Sequence, residues 1–224
     1  EITKAPYFGK LTAYHLFLEK VDNFKLGDNS QGVNHFENAN NAVRSYNTNL
    51  LLENNDFTFV GYTGKNNGKT IAVNAWTDFF APNFPNPTPT FSLQILGVAG
   101  TSTINSFNGW DTGVKTDQVS NVLFENNSIF DCRNGIYATR GRKLTASNNI
   151  IYRFNQGIYC FDFWQLETGL KQYEKSIYII DNIFNEAGVY NSDSYGKVAI
   201  NIQNGLGHIM QIGRASCRER VSSP

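Results

Sequence analysis

Six residues recur at alternate positions along three short segments: Lys115 and Asp117, Tyr137 and Thr139, Tyr159 and Phe161. The segments repeat at a constant interval, so Tyr137 and Tyr159 occupy equivalent places. Flat aromatic side chains offer apolar faces that suit sugar rings, and charged side chains supply polar handles for hydroxyls and carboxylates. Trp110 precedes the first segment and Trp164 follows the last. The expected chemistry is adsorption of a polysaccharide on Trp110, Asp117, Tyr137, Tyr159, Phe161 and Trp164. The competing expectation is that tyrosines on neighbouring strands stack only to stabilise a sheet.

Other chemistries find less support. A glycoside hydrolase needs two carboxylates at a set separation. Asp111, Asp117, Asp131 and Asp162 are the candidates, and no Asp-Asp or Asp-x-x-Asp motif joins them. His15, His35 and His208 are scattered, none near a Cys or another His at ligand spacing, so no metal site and no cofactor are expected. The chain carries 19 basic and 19 acidic residues among 224 and shows no basic patch, which argues against nucleic acid as a partner. No apolar run reaches the length of a membrane span.

The positions of these residues follow from a repeat. One interval separates Asn127 from Asn149, and the same interval separates Ile129 from Ile151, Gly135 from Gly157, and Ile136 from Ile158. One period earlier lie Asn105, Phe107, Gly113 and Val114. A wider template places apolar residues five and three before an Asn and another two after it. Leu50, Leu52, Asn55 and Phe57 fit, as do Ile177, Ile179, Asn182 and Phe184. The asparagines form a series 34, 55, 105, 127, 149, 182. A fixed period of about 22 residues marks a repeat architecture.

Each unit alternates apolar and polar residues over short runs, as half-buried strands do. No unit holds an apolar stripe long enough for a crossover helix. The expected fold is therefore all-β, a solenoid whose coils stack one strand spacing apart, about 4.8 Å. Phe107, Ile129 and Ile151 should form one inner column, and Val114, Ile136 and Ile158 another. The Asn column should point inward, where each amide bonds the next above and below. The Gly column (Gly113, Gly135, Gly157) is expected at turns that need positive φ. The count of 29 Asn agrees with a chain rich in turns and ladders.

The pattern Val122-x-Phe124-x-Asn126-Asn127-x-Ile129 followed by Asn134-Gly135-Ile136-Tyr137 resembles the right-handed parallel β-helix repeat of pectate-lyase-like proteins. The resemblance covers roughly residues 11–205 and implies that fold. It implies an extracellular or cell-surface protein that contacts polysaccharide. One alternative is a polysaccharide lyase acting on uronate-containing glycans; another is a non-catalytic structural or adhesin repeat. In one lyase branch a Lys and an Arg stand on neighbouring rungs beside an acidic Ca²⁺ cage. Lys115 and Arg140 resemble that catalytic pair, and Ca²⁺ enters only under this reading. If the protein is an enzyme, a lyase is favoured over a hydrolase.

Residues 1–211 are expected to form one β-helix domain with two loop insertions on one edge, about 61–99 and 163–174. Both ends read as cut, with upstream and downstream domains missing and any secretion signal upstream. From Ile212 to Pro224 the chain abandons the template and resembles the translation of a DNA-sequencing adapter, so it is expected to be a non-native tail. Without it, 16 basic and 18 acidic residues remain, a net charge of −2. Cys132 and Cys160 do not share a column and are expected to be buried free thiols.

Overall fold

The computed structural model describes residues 12–30, 32–60, 70–78, 91–161, 163, 177–187, 198–203, 210–212 and 216–218. These form three parallel sheets of seven strands each and no helix. The first sheet stacks β1 (Thr12–Glu19), β4 (Ala39–Tyr46), β7 (Ile71–Trp76), β10 (Thr112–Asp117), β13 (Asn134–Thr139), β16 (Gln156–Phe161) and β19 (Val198–Gln203). The second stacks β2 (Phe24–Leu26), β5 (Leu50–Glu53), β8 (Ser92–Leu96), β11 (Asn121–Glu125), β14 (Lys143–Ser147), β17 (Ile177–Ile180) and β20 (Met210–Ile212). The third stacks β3 (Asn34–Glu37), β6 (Asn55–Thr58), β9 (Ser106–Asn108), β12 (Ser128–Phe130), β15 (Ile150–Phe154), β18 (Ile183–Ala187) and β21 (Ser216–Arg218). The chain visits the sheets in rotation, one strand from each per coil. This is a right-handed parallel β-helix.

The inner columns lie where the repeat places them. In the third sheet Phe36, Phe57, Phe107, Ile129 and Ile151 follow one another in register, each 0% exposed. The rings of Phe36, Phe57 and Phe107 stack at 4.9 and 5.0 Å between centroids. In the first sheet Val43, Val73, Val114, Ile136 and Ile158 make the facing column, also fully buried. An isolated coil would leave these side chains in water, so each rung depends on its neighbours.

The amide column stands at the corner between the second and third sheets. Asn34 donates to Asn55 at 3.0 Å, Asn55 to Asn105 at 3.0 Å and Asn105 to Asn127 at 2.9 Å. Asn127 then donates to Asn149 at 3.4 Å, and Asn149 to Asn182 at 2.8 Å. The same Oδ1 atoms accept backbone N–H groups, as when Asn127 N bonds Asn149 Oδ1 at 2.9 Å. The remaining Nδ2 hydrogens reach carbonyls that face inward, such as Ile95 and Glu125 for Asn127. The residue before the ladder Asn takes positive φ at Asn54, Asn126, Asn148 and Asp181, a conformation that Asn and Asp adopt more readily than other side chains.

Three expectations need correction. First, the Gly column does not serve positive φ; only Gly27, Gly100 and Gly109 among the described glycines have it. Gly113, Gly135 and Gly157 lie at the start of first-sheet strands, where a Cβ would meet the carbonyl oxygen of the next rung. At Gly135 that contact would be 2.4 Å from Gly157 O. The coils approach too closely there for any side chain. Second, residues 61–99 are not one insertion, because β7 and β8 within them are rungs of the first and second sheets. What remains is residues 61–69, between β6 and β7, and 79–90, between β7 and β8. Third, the two loops on one edge are therefore not 61–99 and 163–174. Residues 79–90 and 164–176 both connect the first sheet to the second, whereas 61–69 connects the third to the first.

Strand pairing also continues past residue 211, since β21 pairs with β18 through Ile183↔Ser216 and Asn185↔Arg218. Backbone pairing asks little of side chains, so a segment without the repeat's columns can still extend the stack. Cys132 and Cys160 are buried free thiols. Cys132 sits in an inner corner column between Trp110 and Phe154, which are 0% and 1% exposed.

Asn127→Ala orphans the buried donors of Asn105, so unfolding in urea should show a loss of roughly 2–4 kcal/mol. A loss below about 0.5 kcal/mol, less than one ordinary hydrogen bond contributes, would mean the ladder is ornamental. Gly135→Ala should cost about 1–3 kcal/mol by the same measurement, from overpacking against the next rung. Burial pushes the Cys132 and Cys160 thiols up to about 12. An unfolded thiol ionises near pH 8.5–9, roughly, so between there and about 12 the unfolded chain binds fewer protons than the native one. Stability should fall as pH rises through that window, by up to about 1.4 kcal/mol per unit per thiol, and Cys132→Ala should flatten the slope.

Candidate functional site

Alternation turns every second residue of the first sheet outward. Lys115, Tyr137, Tyr159 and Asn201 are in register along one outer column, and Asp117, Thr139, Phe161 and Gln203 along the next. The sequence therefore placed Asp117, Tyr137, Tyr159 and Phe161 together on one face, with Lys115 beside them. All are half-buried rather than free in solvent.

The Tyr137 and Tyr159 rings stack at 4.6 Å with 19° between their planes. Phe161 continues the aromatic surface, its ring 6.4 Å from Tyr159 and nearly parallel to it. Lys115 Nζ lies 6.0 Å from the centre of the Tyr137 ring, within cation–π range. A shallow cavity of about 350 Å³ opens beside the tyrosine pair. Its other walls come from Arg133, Asn134, Asn155, Gln156, Asn201 and Gln203. Amides carry both donors and acceptors, so the cavity offers several hydrogen-bonding groups next to two flat rings.

Sequence reasoning missed these polar walls although the period marks them. Arg133 and Asn155 stand one period apart, as do Asn134 and Gln156. Asn201 and Gln203 were hidden because the connection between β16 and β19 is longer than one period.

Trp110 is not on this face, contrary to expectation. It is 0% exposed, and its indole Nε1 donates to Phe57 O at 3.0 Å. Its ring meets Phe59 edge-on at 5.4 Å. One period on from Trp110 comes Cys132 and then Phe154, both buried, so the column itself signalled an inward side chain. Trp164 lies outside the described residues, as does Asp162.

The Lys115 and Arg140 pair resembles a proton-abstracting site less than the sequence implied. Arg140 Nε donates to Asp117 Oδ1 at 2.8 Å, and its Nη2 bonds Asp117 Oδ2. Thr139 Oγ1 also donates to Asp117 Oδ1 at 2.9 Å. The guanidinium is thus committed to a carboxylate of its own chain. Arg140 takes positive φ at the turn leaving β13, which directs it back toward β10. The candidate carboxylates are separated in the same way. Asp111 is 1% exposed and accepts from Thr70 N and Oγ1, both at 3.2 Å. Asp131 pairs with Arg153 at 2.8 Å. Among the described residues no three His, Cys, Asp or Glu side chains gather as a metal would require. No helix among them is long and apolar enough to cross a membrane.

No curated protein and no solved structure matches the chain. Residues 92–204, half of the chain, match the family model described as the right handed beta helix region. The matched stretch runs from β8 through β19 and so contains the tyrosine pair and its cavity; on fold and sequence alike, the chain belongs to the right-handed β-helix family.

Proposed function

We propose that the protein contacts polysaccharide through the outward face of the first sheet, at the secreted or cell-surface side of its host. The stacked Tyr137–Tyr159 pair beside a cavity walled by amides carries the reading. An apolar plate next to donors and acceptors matches a pyranose, which has an apolar face and a rim of hydroxyls. Successive rungs are about 4.8 Å apart, close to the advance of one sugar in an extended glycan, so a polymer along the axis places about one sugar over each rung. Buried rings would add packing energy without leaving a flat surface; these remain partly exposed.

Binding rather than cleavage is the favoured activity, because the Arg140 guanidinium is occupied by Asp117. A glycan array followed by titration of the best ligand tests the proposal. Tyr137→Ala and Tyr159→Ala should each weaken binding about tenfold or more while thermal unfolding stays cooperative. Unchanged affinity in both variants would reduce the tyrosine column to scaffold. Growth of ultraviolet absorbance on uronate polymers, abolished by Lys115→Ala, would instead support a lyase.

A further inference from the structure

The same sheet face carries a second aromatic group at its other end. Arg44 on β4 lies in register between Phe17 on β1 and Asn74 on β7. Its guanidinium carbon is 4.8 Å from the centre of the Trp76 ring, 5.6 Å from Phe17 and 5.8 Å from Tyr14. Phe17 and Trp76 are nearly parallel, 6.3 Å apart. Tyr46 meets Trp76 at 5.5 Å.

What distinguishes Arg44 among the described arginines is that rings, rather than acceptors, surround it. Arg140 is held by Asp117, Arg153 by Asp131 and Lys25 by Glu53. Among the described residues Arg44 has ring contacts only, and its Nε is buried with no hydrogen-bond partner. The carboxylate of Asp78, two residues beyond Trp76, accepts from the Tyr46 hydroxyl. A guanidinium carries five donors and normally finds carboxylate or carbonyl oxygens for them. Here three rings hold it in place, and ring stacking leaves its in-plane donors to whatever approaches along the face.

We propose that Arg44, Phe17 and Trp76 form an anion-recognising subsite for an acidic sugar, one bearing a carboxylate or sulfate. The guanidinium would pair with the anionic group in a charge-assisted contact, and the exposed rings of Phe17 and Tyr14, 39% and 43% exposed, would meet the sugar's apolar face. Lys115 lies two rungs above Arg44 in the same column, with Asn74 between them. Two rungs span about 10 Å, so two cations stand roughly two sugars apart along an axial glycan. Tyr137 follows one rung higher. The subsite rests on its own residues and does not require the tyrosine cavity; together the two would select an acidic polymer of at least four or five sugars.

The test is titration of the whole chain with hexagalacturonate, an alginate hexamer, a sulfated dextran hexamer and a neutral glucan hexamer, at low and high salt. At least one acidic probe should bind tenfold or more tightly than the neutral one, with affinity falling as salt rises. Arg44→Gln should erase that preference. Arg44→Met keeps the stem packed on the rings if Arg44→Gln unfolds, and it should lose the preference equally. Arg44→Lys should recover part of it. An acidic-to-neutral ratio unchanged in a folded Arg44→Met variant, or no acidic probe binding at all, overturns the proposal. If acidic probes bind through Arg44 while Tyr137→Ala and Tyr159→Ala change nothing, the tyrosine reading fails and this one stands. If the tyrosine variants lose binding while Arg44→Met changes nothing, this proposal fails and the tyrosine reading stands.

Discussion

A line of six amides running parallel to the coil axis holds the molecule in register. Each ladder Asn from 55 to 149 accepts from the rung below and donates to the rung above or to a carbonyl turned inward at the corner. The corner needs such a residue because a sharp bend in a packed interior leaves backbone groups without strand partners. An aliphatic side chain would fill the space and leave those groups unpaired. An Asp would supply acceptors and no donors, and would stack charge upon charge about 4.8 Å apart. Asn alone combines the right length with both polarities.

Once that corner is fixed, the rest of each coil has freedom elsewhere. In the rungs of Asn127, Asn149 and Asn182 the ladder corner is closed by two residues, the first of them at positive φ, and in the rung of Asn55 by Asn54 alone, also at positive φ. The connections 61–69, 79–90, 164–176 and 188–197 fall at the other two corners, whereas 27–33 and 97–104 lengthen the ladder corner itself and return the chain to Asn34 and Asn105. Loop closure grows slowly in cost with length, so these excursions are cheap compared with breaking one buried amide link.

The same logic explains what could be read from the chain and what could not. The columns of Phe107, Ile129 and Ile151 and of Asn105, Asn127 and Asn149 were legible because three rungs follow one another without interruption. The rung containing Val73 and Ile95 was not, because excursions at all three corners break the count between Asn55 and Asn105. It hid Trp76, and with it the cluster around Arg44. At Gly135 the position was legible and the reason was not. A glycine in a sequence reports the absence of a side chain, whereas close approach of a neighbouring carbonyl and left-handed backbone are alternative causes that only coordinates separate. Trp110 misled because it comes just before the strand that carries Lys115 and Asp117, although its neighbours in the stack, Cys132 and Phe154, face in. In a solenoid the second kind of neighbour decides.

Inward and outward columns of the first sheet obey different constraints. Going up the axis, the inner column reads Val43, Val73, Val114, Ile136, Ile158, a nearly uniform run of β-branched residues set by the space between coils. The outer column beside it reads Phe17, Arg44, Asn74, Lys115, Tyr137, Tyr159, Asn201, and changes character almost every rung. The scaffold does not demand that variety; it demands only that like charges not stack directly, which the Asn between Arg44 and Lys115 satisfies. A surface whose chemistry varies along one axis at a fixed spacing is suited to discriminate elongated ligands by the order of their groups. A compact ligand would sample two or three rungs and could not distinguish the Arg44 end from the Tyr159 end except by charge.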